Sequence, residues 1–170
     1  MRLQPRPVRF SLAEVQVAAG GRFNCRPAAL CVVADLLPEE AVARLPGFAD
    51  KHYTNPSMMQ AALAALGIPF QRVYECLGLG VARNPVYPDF GLVRIQWGGP
   101  WMNPGVPVAA RYWHTHWIAA HGEWRFDLNA MSDPRANGWI PRELWEQSLV
   151  PWLLRESKTK ANGEWWPTHC

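Results

Sequence analysis

The chain has no Cys-x-x-Cys pair, no run of five or more Lys and Arg, and no apolar stretch long enough to cross a membrane. Each absence removes a class of protein. The four cysteines (Cys25, Cys31, Cys76, Cys170) are neither paired nor evenly spaced, which argues against a zinc knuckle and against a secreted disulfide scaffold. In a reducing compartment a cysteine is then either buried filler or a reagent. The net charge of +3 is spread along the chain, so no basic tail points to a nucleic-acid partner. The most apolar stretches are broken by charge, Pro or Gly well short of the roughly 18 residues a membrane span requires. The N-terminus, "MRLQPRPVRFSLAEVQVAAGG", carries basic residues but lacks the apolar core of a signal peptide. These readings give the expectation of a soluble, cytoplasmic protein with no nucleic-acid and no membrane partner.

What the sequence does have is 10 Trp and 16 Pro in 170 residues, a length that fits one domain. Residues 1–10 read as an extended arm, because Pro5 and Pro7 oppose a helix, and 11–170 as a single domain. "CRPAALCVVADLL" (25–37) has apolar spacings of a buried helix, with Pro27 in the first turn, where a missing N–H costs nothing. Pro38 allows a short helix through Leu45, stopped by Gly47. "NPSMMQAALAALG" (55–67) is bounded by Asn55 as N-cap, Pro56 at the first helical position and Gly67 as the C-terminal cap residue. "IPFQRVYEC" reads as a strand, and "GLVRIQW" (91–97) as a strand alternating Leu92, Arg94, Gln96 with Val93, Ile95, Trp97. "YWHTHWIAA", a turn at Gly122 and "WRFDLNA" give a hairpin. A helix over 141–154 follows, with Pro141 in its first turn. Helices first and an antiparallel meander after them make an α+β domain.

A cysteine opens the helical half, and a histidine opens the hairpin. A thiol at the first turn of a helix lies in the positive end of the helix dipole, beside unpaired N–H groups that favour thiolate and can hold an oxyanion. Cys25 has that position. A nucleophilic cysteine also needs a base with an orienting partner. His116 lies at the head of "WIAA", and Asp127 and Asn129, two apart on the returning strand, point to one face. A turn over residues 121–123 brings 127–129 opposite 115–117, within reach of His116.

"NCRPAALCVVADLL", "MMQAALAALGI" and "HWIAAHGEWRFDLN", in that order, resemble the Cys–His–Asp/Asn arrangement of papain-like cysteine peptidases. The resemblance is nearest to the bacterial peptidase domains that cleave bacteriocin leader peptides. The last motif is also similar to that of the Josephin deubiquitinases, whose catalytic asparagine would match Asn129. The resemblance implies a papain-like fold with N-terminal helices packed on an antiparallel sheet. It further implies Cys25 as nucleophile, His116 as general base and acid, and Asp127 as orienting group with Asn129 as substitute. A peptide or isopeptide amide is cleaved through a thioester in such proteins, with no cofactor and a peptide or protein as substrate; amidase, deamidase and transglutaminase chemistry use the same machinery and stay open. Such peptidases place a glutamine five or six residues before the cysteine, where this chain has Gly20 and Ala19. Gln16 and Asn24 are the candidates for completing the oxyanion hole. Arg26 stands where glycine is common.

Blander readings compete at each position. Cys25 has the alternative reading of a small core residue at a helix start, and Cys31, within an apolar helix, reads as core. His114 shares strand parity with His116, and the two form a metal-ligand spacing that His121 or Asp127 would complete for zinc. Asp127 is open to pairing with Arg94 or Arg125 instead. Trp97, Trp101, Trp113 and Trp117 fall near the proposed site and are candidate walls of a peptide cleft. With such a cleft and no chemistry, the same domain is a peptide- or protein-binding module.

Overall fold

The computed structural model describes residues 5–21, 25–51, 54–71, 88–98, 114–132 and 137–147. The described elements run α1 (Leu12–Ala18), α2 (Cys25–Ala34), α3 (Pro38–Arg44), α4 (Phe48–Lys51), α5 (Pro56–Ala65), β1 (Phe90–Gly98), β2 (His114–His121), β3 (Trp124–Phe126) and β4 (Trp139–Pro141). A 3-10 turn over Leu128–Ser132 and a helical segment at 142–147 flank β4. Helices precede a four-stranded antiparallel sheet of order β1-β2-β3-β4, an α+β arrangement.

The helix boundaries follow from local chemistry. At α5, the Asn55 side chain accepts from the Met58 N–H at 2.9 Å, Pro56 takes the first position and Gly67 turns the chain out at φ +68°. A cap of this kind contributes about 1 kcal/mol. At α1, Ser11 and Glu14 form a reciprocal capping box. α2 ends at Ala34, three residues before the expected Leu37, where Asp35 takes a left-handed φ of +53°. Its carboxylate pairs with Arg9, and its carbonyl accepts from the same guanidinium, which ties the extended N-terminal arm to the end of α2. The arm is also held by the Trp139 indole N–H bonded to the Arg6 carbonyl and by Phe10 edge-on to Phe126.

The sheet separates two apolar clusters. Trp117, Ala119, Phe126 and Leu128 pack with Val15, Ala28, Leu30, Phe48, Met59 and Ala62 of the helical layer. Ile118 and Trp145 pack on Val93, Ile95 and Ile140. Full burial of such side chains stabilises by roughly 1.5–3 kcal/mol each, and it fixes the register, since a one-residue slip would exchange the two sets.

Several expectations are corrected here. Residues 68–71 are not strand, and the remainder of "IPFQRVYEC" lies outside the described residues, as does the helix beyond 147. Pro141 ends β4 and does not open the helix; it occupies a sheet edge, where its missing N–H is tolerated. β1 carries a bulge at Trp97, because Gln96 pairs with Thr115 and Gly98 with His114. The returning strand stops at Phe126, so Asn129 lies in the 3-10 turn and shares no strand face with Asp127.

Candidate active site

Three separate elements bring Cys25, His116 and Asp127 together. Cys25 is the first residue of α2, which packs against both β2 and the 3-10 turn. β3 pairs with only the second half of β2, through Ala119–Phe126, Ala120–Arg125 and His121–Trp124. The chain then leaves the sheet at Asp127 and coils into the turn, beside the stretch of β2 that carries His116.

The two-residue turn at Gly122 and Glu123 sets this register. Continued in the same register, the strand would set Asn129 opposite His116. Instead the turn folds the chain back, and Asp127 reaches the imidazole: His116 Nε2 lies 3.0 Å from Asp127 Oδ1. Asn129 contributes its backbone N–H, which donates to the same Oδ1 at 2.9 Å. The Asp127 carbonyl accepts from the Ala130 N–H, so this residue caps the 3-10 turn with both its groups. Its own N–H donates to the carbonyl of Gly138 at 2.9 Å. Gly138 has φ +77°, and a Cβ there would run into the Phe126 ring, so only glycine lets this chain lie close enough to pin Asp127.

Asp127 Oδ2 accepts from the indole N–H of Trp145 at 3.0 Å. The carboxylate thus meets three donors and no acceptor in these bonds, an environment suited to its ionised form. Burial by itself raises the Asp127 pKa, but the attraction of His116 and these hydrogen bonds outweigh it and hold the group below its usual range. For His116 burial works downward; the negative charges of Asp127 and Cys25 and the hydrogen bonds to both reverse this and push the imidazole up to about 10. With Nε2 on Asp127, Nδ1 is the ring nitrogen left for Cys25.

The arrangement favours an imidazolium, with the Asp127 carboxylate on one side of it and Cys25 on the other. Cys31 differs: burial, with smaller effects from Glu39 and Glu40, drives its thiol up to about 12, which keeps it protonated and inert. All three site side chains are sealed from solvent, with Cys25 at 0%, His116 at 1% and Asp127 at 2% relative exposure. A cavity of about 280 Å³ opens elsewhere, between the N-terminal arm, α2 and the end of the β1–β2 hairpin, lined by Arg6, Phe10, Cys31, Phe90, His121 and Trp139. It does not include the three site residues.

Other expectations fare differently. Gln16 sits half-buried on α1, its carbonyl accepting from Gly21; Asn24 lies outside the described residues. Trp117 is no cleft wall: it is 5% exposed within the core cluster of the helical layer. Trp101 and Trp113, and the side chains of Trp97 and His114, are outside what is described. His121 is exposed and meets Phe90 and Trp139 edge-on. Among the described residues no group of three His, Cys, Asp or Glu side chains could hold a metal ion. Asp127 pairs with His116, and Arg125 donates to the carbonyls of Gly122 and Trp124. Trp145 escaped the sequence reading altogether, since no local pattern marks one tryptophan among ten as a carboxylate donor.

No described helix is long and apolar enough to cross a membrane. The chain matches no protein-family model, no curated protein and no solved structure.

Proposed function

We propose that the protein is a cysteine-nucleophile hydrolase with a papain-like site, acting on a peptide or isopeptide amide bond. The observation that carries this reading is the convergence of Cys25, His116 and Asp127, from α2, β2 and the chain after β3, into one buried hydrogen-bonded line. The Cys25 thiolate would attack the carbonyl carbon, forming the C–S bond and an oxyanion that the positive end of the α2 dipole would stabilise. His116 would then give its proton to the leaving amine as the C–N bond breaks, leaving a thioester. Water, losing a proton to the now neutral His116, would attack the thioester and expel the thiolate, restoring the ion pair with release of the acid. Asp127 would keep the imidazole oriented through both steps.

Because the site is sealed, a substrate carbonyl reaches Cys25 only after its cover moves. That burial favours a second reading, in which the domain holds a peptide or protein partner and the three residues serve only to join α2 to the sheet. The two readings separate on treatment with a small thiol electrophile, followed by mass mapping of every cysteine. The hydrolase reading expects alkylation of Cys25 that His116→Ala suppresses; a Cys25 rate indifferent to His116 supports the binding module.

A further inference from the structure

Only one of the two carboxylate oxygens of Asp127 faces His116. Oδ1 accepts from His116 and from the Asn129 backbone, while Oδ2 accepts from the Trp145 indole N–H at 3.0 Å. Trp145 is 2% exposed and belongs to the helical segment 142–147, which follows β4 directly. Its ring packs with Ile118, Val93, Ile95 and Ile140, on the sheet face away from the helical layer. The indole N–H is a donor only, so it can engage Asp127 as an acceptor and supports the carboxylate in both geometry and charge. The charged neighbours on the same segment stay outside: Glu143 is exposed, and Arg142 pairs with Glu146 at 3.3 Å.

We infer that Trp145 is a positioning residue of this site, its indole N–H fixing the rotation and ionisation of Asp127 so that Oδ1 stays aimed at His116. The inference rests on the Cys25–His116–Asp127 reading and extends it to a residue on a different element. A residue that only fills the apolar cluster would act through its ring. A positioning residue acts through its N–H, and Trp145→Phe separates the two.

The test follows the His116 imidazole and the Trp145 Nε1–H by NMR across pH, together with the alkylation rate of Cys25, in wild type, Trp145→Phe, Asp127→Asn and the double variant. In wild type the Trp145 Nε1–H resonance is expected to move with the His116 titration, since both groups bind one carboxylate. Trp145→Phe is expected to lower the His116 midpoint and to slow Cys25 alkylation at neutral pH on the order of tenfold, the scale of one charge-assisted hydrogen bond. It is expected to add nothing in the Asp127→Asn background. An Nε1–H resonance blind to His116, or a Trp145→Phe effect equal in both backgrounds, overturns the inference; the first of these needs no variant to fold. If wild-type Cys25 alkylates no faster than a simple thiol, the nucleophile reading fails, while the shared titration of His116 and Trp145 still decides the positioning role.

Discussion

Replacing Asp127 by Asn probes the buried charge directly. The carboxylate takes N–H bonds from His116, Asn129 and Trp145 at 3.0, 2.9 and 3.0 Å, and its side chain is 3% exposed. An amide has one acceptor oxygen. If that oxygen faces His116 and Asn129, the NH₂ meets the indole N–H of Trp145, donor against donor; the flipped amide sets the clash at two donors instead. The substitution also removes the charge that sustains the imidazolium. Breaking one side of a buried ion pair costs about 3–5 kcal/mol, and the partial hydrogen bonding an amide retains places Asp127→Asn near the lower end. At about 3 kcal/mol the melting temperature of a chain this size falls by roughly 6–12 °C. The effect is largest at intermediate pH, as the linkage dictates. Asp127, whose folded pKa is depressed, contributes stability above its unfolded pKa of about 4 and loses it as pH falls through the folded value. His116, whose folded pKa is raised, contributes fully below its unfolded value of about 6.5 and loses this as pH rises toward about 10. Both contributions are complete between about pH 4 and 6.5, so urea denaturation near pH 6 is the appropriate assay. A loss under about 0.5 kcal/mol, the scale of an ordinary surface change, would refute the ion pair.

Other substitutions test the surroundings. Asn129→Ala keeps the backbone N–H on Asp127 and should leave Cys25 reactivity within about twofold of wild type, whereas a catalytic asparagine side chain would show a loss of about a hundredfold or more in the same assay. Gly138→Ala should destabilise by about 3 kcal/mol or more in thermal melts, since its Cβ meets the Phe126 ring at a φ of +77°, and it should displace the carbonyl that holds Asp127. Cys31→Ala should cost about 1 kcal/mol by leaving a small void and should not alter alkylation of Cys25. Asn55→Ala should remove about 1 kcal/mol with no effect on the site, as urea midpoints and alkylation rates would show.

What was legible in the sequence was what local chemistry decides. Asn55, Pro56 and Gly67 bound α5 because caps depend on a few neighbouring residues. β1 and the start of α2 stood out by periodicity and by proline placement. Cys25, His116 and Asp127 were found through their order along the chain. Asp127 pairs with His116 as expected but reaches it by a different route, and Asn129 supplies a backbone N–H in place of its side chain. A turn one residue shorter than supposed shifts the register, and the strand ends before it would bring Asn129 to His116. The reason lies in tertiary contacts: the Gly138 carbonyl captures the Asp127 N–H and Leu128 enters the core, and both depend on chain segments that a local window does not contain. Trp145 and the burial of Trp117 were hidden likewise, because tryptophan serves as core filler and as hydrogen-bond donor with no difference in sequence.

Ultraviolet thiolate absorbance tests the proposed thiolate–imidazolium pair of Cys25 and His116 without requiring a reagent to enter the sealed site. Spectra of wild type, Cys25→Ala and His116→Ala would be recorded as a function of pH. A thiolate signal at neutral pH that both substitutions abolish is the predicted result. A Cys25 contribution that emerges only above about pH 8.5, where an ordinary thiol ionises, and that ignores the loss of His116 would contradict it.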